Sequence, residues 1–330
     1  MSDTSIADRN LALEAVRVTE AAALAGSRFM GRGDERVADE AAVDAMHATL
    51  ASLAIDGTMR IGEGLEGEAA KLYIGEKVGS GAGLVMDVAA MALEGPTIIA
   101  KGEPNGLSVI ALTEQDGFLD VPAIYMDKIA VGAGLPEEVV DLDETPAKNL
   151  RALAKAKGAE VGDMVACILD RPRHAELIAK TREAGARIML IRDGDVSGVI
   201  ATTWPEAGVD IYFGIGGAPQ GVLAAAALSC VGGRMQGRLV VRGDDDKALC
   251  ARHGIAEADR KYGAQDMAAG DVTFAATGVT GGHLLAGVRG SRQGAVTHSV
   301  VMRSKSGTVR YIEAHHDFTR RSGAAGGPPK

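Results

Sequence analysis

The chain has 330 residues, 46% of them hydrophobic and 24% charged, with a formal net charge of −9. That suits a globular protein with a large core and two subdomains. The acidic balance reads as solubility and gives no basis for nucleic-acid binding, which needs a basic face.

Residues 9–30 carry an amphipathic helical pattern through Leu11, Leu13, Val16, Val18, Ala22 and Leu24. Gly31-Arg-Gly-Asp34 breaks it, and a second helix spans 36–53. Ile55 to Ile61 reads as a strand ended by Gly62-Glu63-Gly64, and Leu84 to Ala89 as another. Thr97 to Ala100, Ser108 to Thr113 and Leu119 to Ile124 continue the β pattern, and 151–157 is helical. Beyond about residue 162 strands and helices alternate. Val165–Leu169, Arg187–Ile191 and Val209–Phe213 are strands; 174–185, Val196–Ala201 and Gly221–Val231 are helices. Val272 to Ala276 and Thr297 to Met302 are later strands. The expected division is an α+β subdomain over 1–160, an α/β subdomain over 161–320 and a disordered tail over 321–330.

Cys167, Cys230 and Cys250 form no CxxC pair, so the sequence predicts no disulfide framework and a reducing, cytoplasmic setting. The first residues hold no apolar signal core. The longest apolar run, Gly221 to Val231, is too short to cross a membrane.

Several residues could carry chemistry. Asp39, Glu63, Asp87 and Glu94 are carboxylates near turns or element ends; two or three converging would hold a hard divalent cation, and each alone is equally a cap or a surface acid. The run from Gly214 to Gly221 and the loop Thr277-Gly-Val-Thr280-Gly-Gly282 follow strands. Each is either a phosphate-binding turn or simply a tight connection. Arg171-Pro-Arg173-His174 offers two guanidiniums for bidentate phosphate contact or a basic helix start.

Taken in order, the strings Arg17-Val-Thr-Glu-Ala-Ala-Ala-Leu-Ala-Gly26, Gly31-Arg-Gly-Asp34, Ile61-Gly-Glu-Gly64, Leu72-Tyr-Ile-Gly-Glu-Lys-Val-Gly79, Tyr125-Met-Asp-Lys128, Arg171-Pro-Arg-His174, Asp193-Gly-Asp195, Gly214-Ile-Gly-Gly-Ala-Pro219 and Ala276-Thr-Gly-Val-Thr280 resemble the class II fructose-1,6-bisphosphatases over about residues 10–318. The resemblance implies an α/β (α+β) fold, a layered α-β-α-β-α sandwich of the sugar phosphatase type. It implies hydrolysis of the 1-phosphate of fructose 1,6-bisphosphate, with sedoheptulose 1,7-bisphosphate as a further substrate of some members. Mn2+ or Mg2+ is the implied cofactor, and a homodimer or homotetramer the implied assembly.

Carried over position by position, Asp39, Glu63 and Glu94 match metal ligands, with Glu63 also the nearest retained catalytic carboxylate. Glu94, Gly95, Tyr125, Arg171, Arg173, Asp193, Gly194, Asp195 and Gly217 match substrate-binding positions. The departures are equally specific. Met91 replaces a metal-ligand Asp, Ala92 a Pro, Pro96 a Thr and Gln220 a metal-ligand Glu. Gly67 stands where an Asp implicated in catalysis is expected, and Glu35 where many members have Lys. Losing three carboxylates should weaken binding of a hard cation and the chemistry it supports. Two readings follow: a sugar bisphosphatase of reduced activity, or a catalytically degenerate paralogue. The paralogue would bind sugar phosphate as a regulatory or sensing subunit, acting alone or with an active homologue.

Overall fold

A computed structural model of the protein describes residues 4–320, and the expected disordered tail at 321–330 lies outside them. The chain opens with α1 (Thr4–Ser27) and α2 (Glu35–Leu50), the latter started by the Asp34 carboxylate, which accepts the Val37 N–H. Next come β1 (Ile55–Ile61), β2 (Lys77–Val78), β3 (Leu84–Glu94), α3 (Pro96–Lys101), β4 (Leu107–Glu114) and β5 (Tyr125–Val131). The middle holds α4 (Pro146–Lys157), β6 (Val165–Leu169), α5 (Ala175–Glu183), β7 (Arg187–Ile191), α6 (Asp195–Ala201), β8 (Ile211–Gly217) and α7 (Ala218–Val231). The last part is β9 (Arg234–Val240), α8 (Asp244–Arg252), β10 (Tyr262–Gly263), α9 (Ala264–Met267), β11 (Thr273–Gly278), β12 (Arg289–Gly290), β13 (Gly294–Arg303) and β14 (Thr308–Asp317).

Two mixed sheets result. The first runs β12-β13-β11-β4-β3-β1-β2 with β14 paired to β13; the second runs β10-β9-β5-β8-β6-β7. β5 precedes residue 160 and sits inside the second sheet, while β11 to β14 follow it and belong to the first.

Side-chain alternation produces the layers. On β3, Val88, Ala90 and Ala92 pack against Ala15, Ala22 and Ala42 of α1 and α2. Ala89 and Met91 point the other way, into a core shared with Leu169, Tyr212, Val222 and Leu223. Both faces of β3 are covered, so it reads as an unbroken apolar run. On the second sheet, Met126 and Cys167 face that same middle layer. Ile129, Ile168 and Phe213 face Leu150 and Leu153 of α4 and Ile178 of α5. The order is therefore α1/α2, sheet, α6/α7, sheet, α4/α5: an α-β-α-β-α sandwich. α7 is almost wholly buried, which explains its alanine-rich, all-round apolar sequence. No described helix is long and apolar enough to cross a membrane. Cys167, Cys230 and Cys250 are free and buried.

Two expected strands take other forms. Thr97 to Ala100 is part of α3, because Gly95 turns the chain with φ 89 and Pro96 then fits the first helical position. Leu119 to Ile124 is irregular, since Pro122 has no N–H to give a ladder and its carbonyl accepts the Ile124 N–H. The strand begins one residue later, at Tyr125.

Candidate substrate cleft

β7 and β8 each pair in parallel with β6, so the carboxyl ends of all three meet at one edge of the second sheet, where α/β folds hold ligands. From there the chain runs on into Arg171, into Asp193-Gly194-Asp195, and through Gly216-Gly217 into α7. β5 is antiparallel to β8 and so begins at this edge, with Tyr125 opposite Gly217. Across the gap, the first sheet delivers the end of β3 with Met91, Glu94 and Gly95. Together these residues except Gly194, with Leu93, Pro96, Leu169, Arg173 and Gln220, line a cleft of about 290 Å3.

The turns around it need glycine. Gly95 has φ 89, and a Cβ there would stand 2.8 Å from Ile98 Cδ1. Gly216 sits so close over a buried ion pair that a Cβ would stand 2.1 Å from Asp195 Oδ2 and 2.8 Å from Lys128 Nζ.

That ion pair joins Lys128 on β5 to Asp195 at the start of α6, and the ammonium also donates to the Gly217 carbonyl over 3.1 Å. Glu94 is 3% exposed. Burial first, then the charges of Asp195 and Asp193, hold its carboxyl well above the usual range. Its Oε1 accepts the Val196 N–H at 3.4 Å, and its Oε2 has no protein partner. Burial also raises Asp193, opposed by the Gly194 N–H and the Arg171 charge. His174 braces the floor. Its Nδ1 meets the Leu169 carbonyl at 2.8 Å and its Nε2 accepts the Ile215 N–H at 2.8 Å, a pairing that requires the neutral ring. Burial lowers its pKa accordingly.

Glu94, Gly95, Tyr125, Arg171, Arg173, Asp193, Asp195 and Gly217 thus share one cleft, with Gly194 in the turn between two of them. Asp39 and Glu63 are not among the lining residues. They lie close enough to interact: burial first, then the Asp39 charge, pushes Glu63 up to about 7. Glu63 Oε1 accepts the Ala92 N–H at 2.9 Å. Burial, then Glu40, raises Asp39. Lys128 and His174 lie inside quoted strings, but nothing in their spacing distinguishes them. Only the fold brings Lys128 to a residue 67 positions away.

The residues present do not fit the carboxylate metal centre that the resemblance implies. Among the described residues no three His, Cys, Asp or Glu side chains converge to hold a cation. Met91, 8% exposed in the cleft wall, offers a thioether, a soft donor for a hard ion. The Gln220 carboxamide folds against Gly217, where a Cβ would come within 1.9 Å of its oxygen. Gly67 has φ 90 and open space around it. A larger hollow of about 550 Å3, near Asp120 and Arg260, contains none of the expected site residues. Within it His253 pairs with Asp120 and Arg260 with Asp266.

The chain matches, over residues 9–316, the family described as bacterial fructose-1,6-bisphosphatase, glpX-encoded. It is 43% identical over 329 residues to fructose-1,6-bisphosphatase 1 class 2 of Escherichia coli strain K12, covering 95% of this chain and 97% of that protein. The same identity and coverage relate it to fructose-1,6-bisphosphatase class 2 of Shigella flexneri.

Proposed function

The chain belongs to the glpX-encoded bacterial fructose-1,6-bisphosphatase family, and from that premise we propose that it binds a sugar bisphosphate in the cleft between its two sheets. Fructose 1,6-bisphosphate is the first candidate and sedoheptulose 1,7-bisphosphate the second. The observation that carries the reading is the wall of Arg171 and Arg173 beside Tyr125 and the glycine turns. Neither arginine forms an ion pair with a carboxylate among the described residues. Guanidiniums without an ion-pair partner at a cleft rim suit a phosphate dianion. Gly95, Gly194 and Gly217 let an ester approach the backbone, while Asp193 and Asp195 can accept sugar hydroxyls.

Hydrolysis of fructose 1,6-bisphosphate, the reaction for which the relatives are named, is lost or strongly reduced in this chain on this reading. A family member uses divalent metal to activate water and steady the leaving group. Here Met91, Gly67 and Gln220 remove the carboxylates, and the retained Glu63 accepts the Ala92 N–H. The protein is then a sugar-bisphosphate receptor, regulatory on its own or as a subunit beside an active homologue. The 43% identity along nearly the whole chain favours a second reading, a working bisphosphatase with Mn2+ or Mg2+.

One experiment separates the two. Phosphate release from fructose 1,6-bisphosphate is followed at saturating Mn2+ for the unaltered chain and for a Gly67→Asp, Met91→Asp, Gln220→Glu variant. The receptor reading expects a ligand-induced rise in Tm without turnover in the unaltered chain. Rapid turnover by that chain would remove it and leave the enzyme. The absence of any Tm rise with either bisphosphate would remove the ligand assignment itself.

A further inference from the structure

Arg242 follows β9 and precedes α8, outside every motif quoted above. Its guanidinium carbon stands 4.4 Å from the centroid of the Tyr125 ring. The Arg173 guanidinium carbon stands 4.9 Å from the same centroid. Sheet register explains the meeting. Tyr125 pairs with Gly217 on one side and with Val240 on the other, and Val240 is two residues before Arg242. Tyr125 therefore carries the rim of the cleft from β8 across to β9.

Each guanidinium is drawn to the ring face, but the ring neutralises neither charge. Arg173 spends two N–H groups on the Ile215 carbonyl. The nearest acid in sequence that meets Arg242, Asp246, accepts its backbone N–H at 2.8 Å and not its side chain. Asp244 pairs with Lys247. Among the described residues no carboxylate forms an ion pair with Arg171, Arg173 or Arg242. On a chain of net charge −9, three guanidiniums without an ion-pair partner thus gather near one edge of the second sheet. Two like charges held on one ring are relieved by an anion that reaches both.

We propose that Arg242 belongs to the binding site. With Arg173 and Tyr125 it holds the second phosphate of a sugar bisphosphate against the second sheet, across the cleft from Glu94-Gly95. The inference deepens the reading that the cleft takes a sugar bisphosphate, and it rests on that reading. It makes Arg242 the residue that distinguishes a bisphosphate from a monophosphate.

The test uses the full chain and calorimetric titration with fructose 1,6-bisphosphate and with fructose 1-phosphate. Arg242→Ala should weaken the bisphosphate about tenfold and flatten its dependence on salt, as loss of a charged phosphate contact does. Fructose 1-phosphate lacks the second phosphate that is assigned to Arg242 and should lose less than about twofold. Arg242→Lys, which keeps the charge without the planar fork, should fall between. Arg260→Ala is the control, because Arg260 stacks on Tyr262 at 4.9 Å beside the other hollow. Arg242 is exposed, so its variants should keep the wild-type Tm. Unchanged bisphosphate affinity in Arg242→Ala overturns this inference while leaving the ligand reading in place. No binding by the unaltered chain overturns the ligand reading, and this inference with it.

Discussion

The backbone N–H of Ala92 donates to Glu63 Oε1 over 2.9 Å. Ala92 lies where β3 loses register with β4, between Met91 and Glu94, so its N–H has no strand partner and takes one from a side chain. The proline that the resemblance expects at this position would have no N–H to give. One substitution therefore converts the nearest retained carboxylate into a structural acceptor.

Glu63 should make stability depend on pH in a defined direction. Its folded pKa, about 7, lies above the ordinary 4.5, chiefly through burial and then through Asp39. A raised pKa favours folding below the ordinary value, and that contribution is lost as pH rises through about 7. Glu63→Gln keeps an oxygen for Ala92 without the buried charge. It should match the wild type at pH 5 and exceed it at pH 8 by about 2 kcal/mol in urea unfolding. A variant less stable than wild type at pH 8 would show that the ionised carboxylate is favoured there.

Met91→Asp puts a carboxylate into the middle-layer wall beside Glu94. Without metal it should cost about 2–4 kcal/mol, the usual toll of an unpaired buried charge. Millimolar Mn2+ should recover part of that loss in Met91→Asp combined with Gln220→Glu, and should leave the wild-type Tm unmoved. A Tm rise of several degrees in the wild type with Mn2+, reversed by chelator, would mean that the existing donors bind the ion after all.

Gly95→Ala meets two obstacles, the left-handed φ of 89 and the Ile98 Cδ1 atom 2.8 Å from the new Cβ. The expected loss is about 1–3 kcal/mol. Fructose 1,6-bisphosphate should also raise Tm less than in the wild type, because the turn that faces the ligand shifts. Gly158→Ala is the comparison: its φ of 65 is also left-handed, but no atom lies within 4 Å of the added Cβ. Equal losses in the two variants would leave backbone strain as the whole effect and no role for the Ile98 contact.

The legible parts of the fold were those with local causes. α2 was marked by Asp34, which does cap it, and β3 by a run apolar on both faces. Thr97 to Ala100 misleads because a four-residue apolar run fits strand and helix equally; Gly95 and Pro96 decide it through backbone geometry. β9 and β14 escape notice for a related reason. Half of each is polar and solvent-facing, and Gly237 interrupts the apolar set of β9. In the cleft, the strings at Arg171, Asp193 and Gly214 gather lining residues because each runs on from the end of a parallel strand. They say nothing of Lys128, whose role depends on burial that no periodicity announces, or of Arg242, which reaches the site only through the β5–β9 register.

Lys128 and Asp195 provide the sharpest stability test, since the ammonium is 1% exposed and stands between two loops of the cleft. Its neighbours include a second acid, Glu94, whose pKa burial raises and whose charged form the ammonium favours. Lys128→Met removes the cation and leaves Asp195 buried beside Glu94. That should cost about 3–5 kcal/mol, because a buried carboxylate then lacks its partner. Adding Asp195→Asn removes the stranded charge, so the double variant should recover at least about 1 kcal/mol of the loss, a coupling that urea unfolding resolves. Additive losses would mean that the pair contributes packing alone. Lys128→Arg keeps the charge, but its larger head must fit beneath Gly216, where a mere Cβ would already stand 2.8 Å from the ammonium. It should fold with an intermediate loss and with weaker sugar-bisphosphate binding. The ammonium holds Asp195 and the Gly217 carbonyl together, so displacing it moves two of the turns that face the ligand.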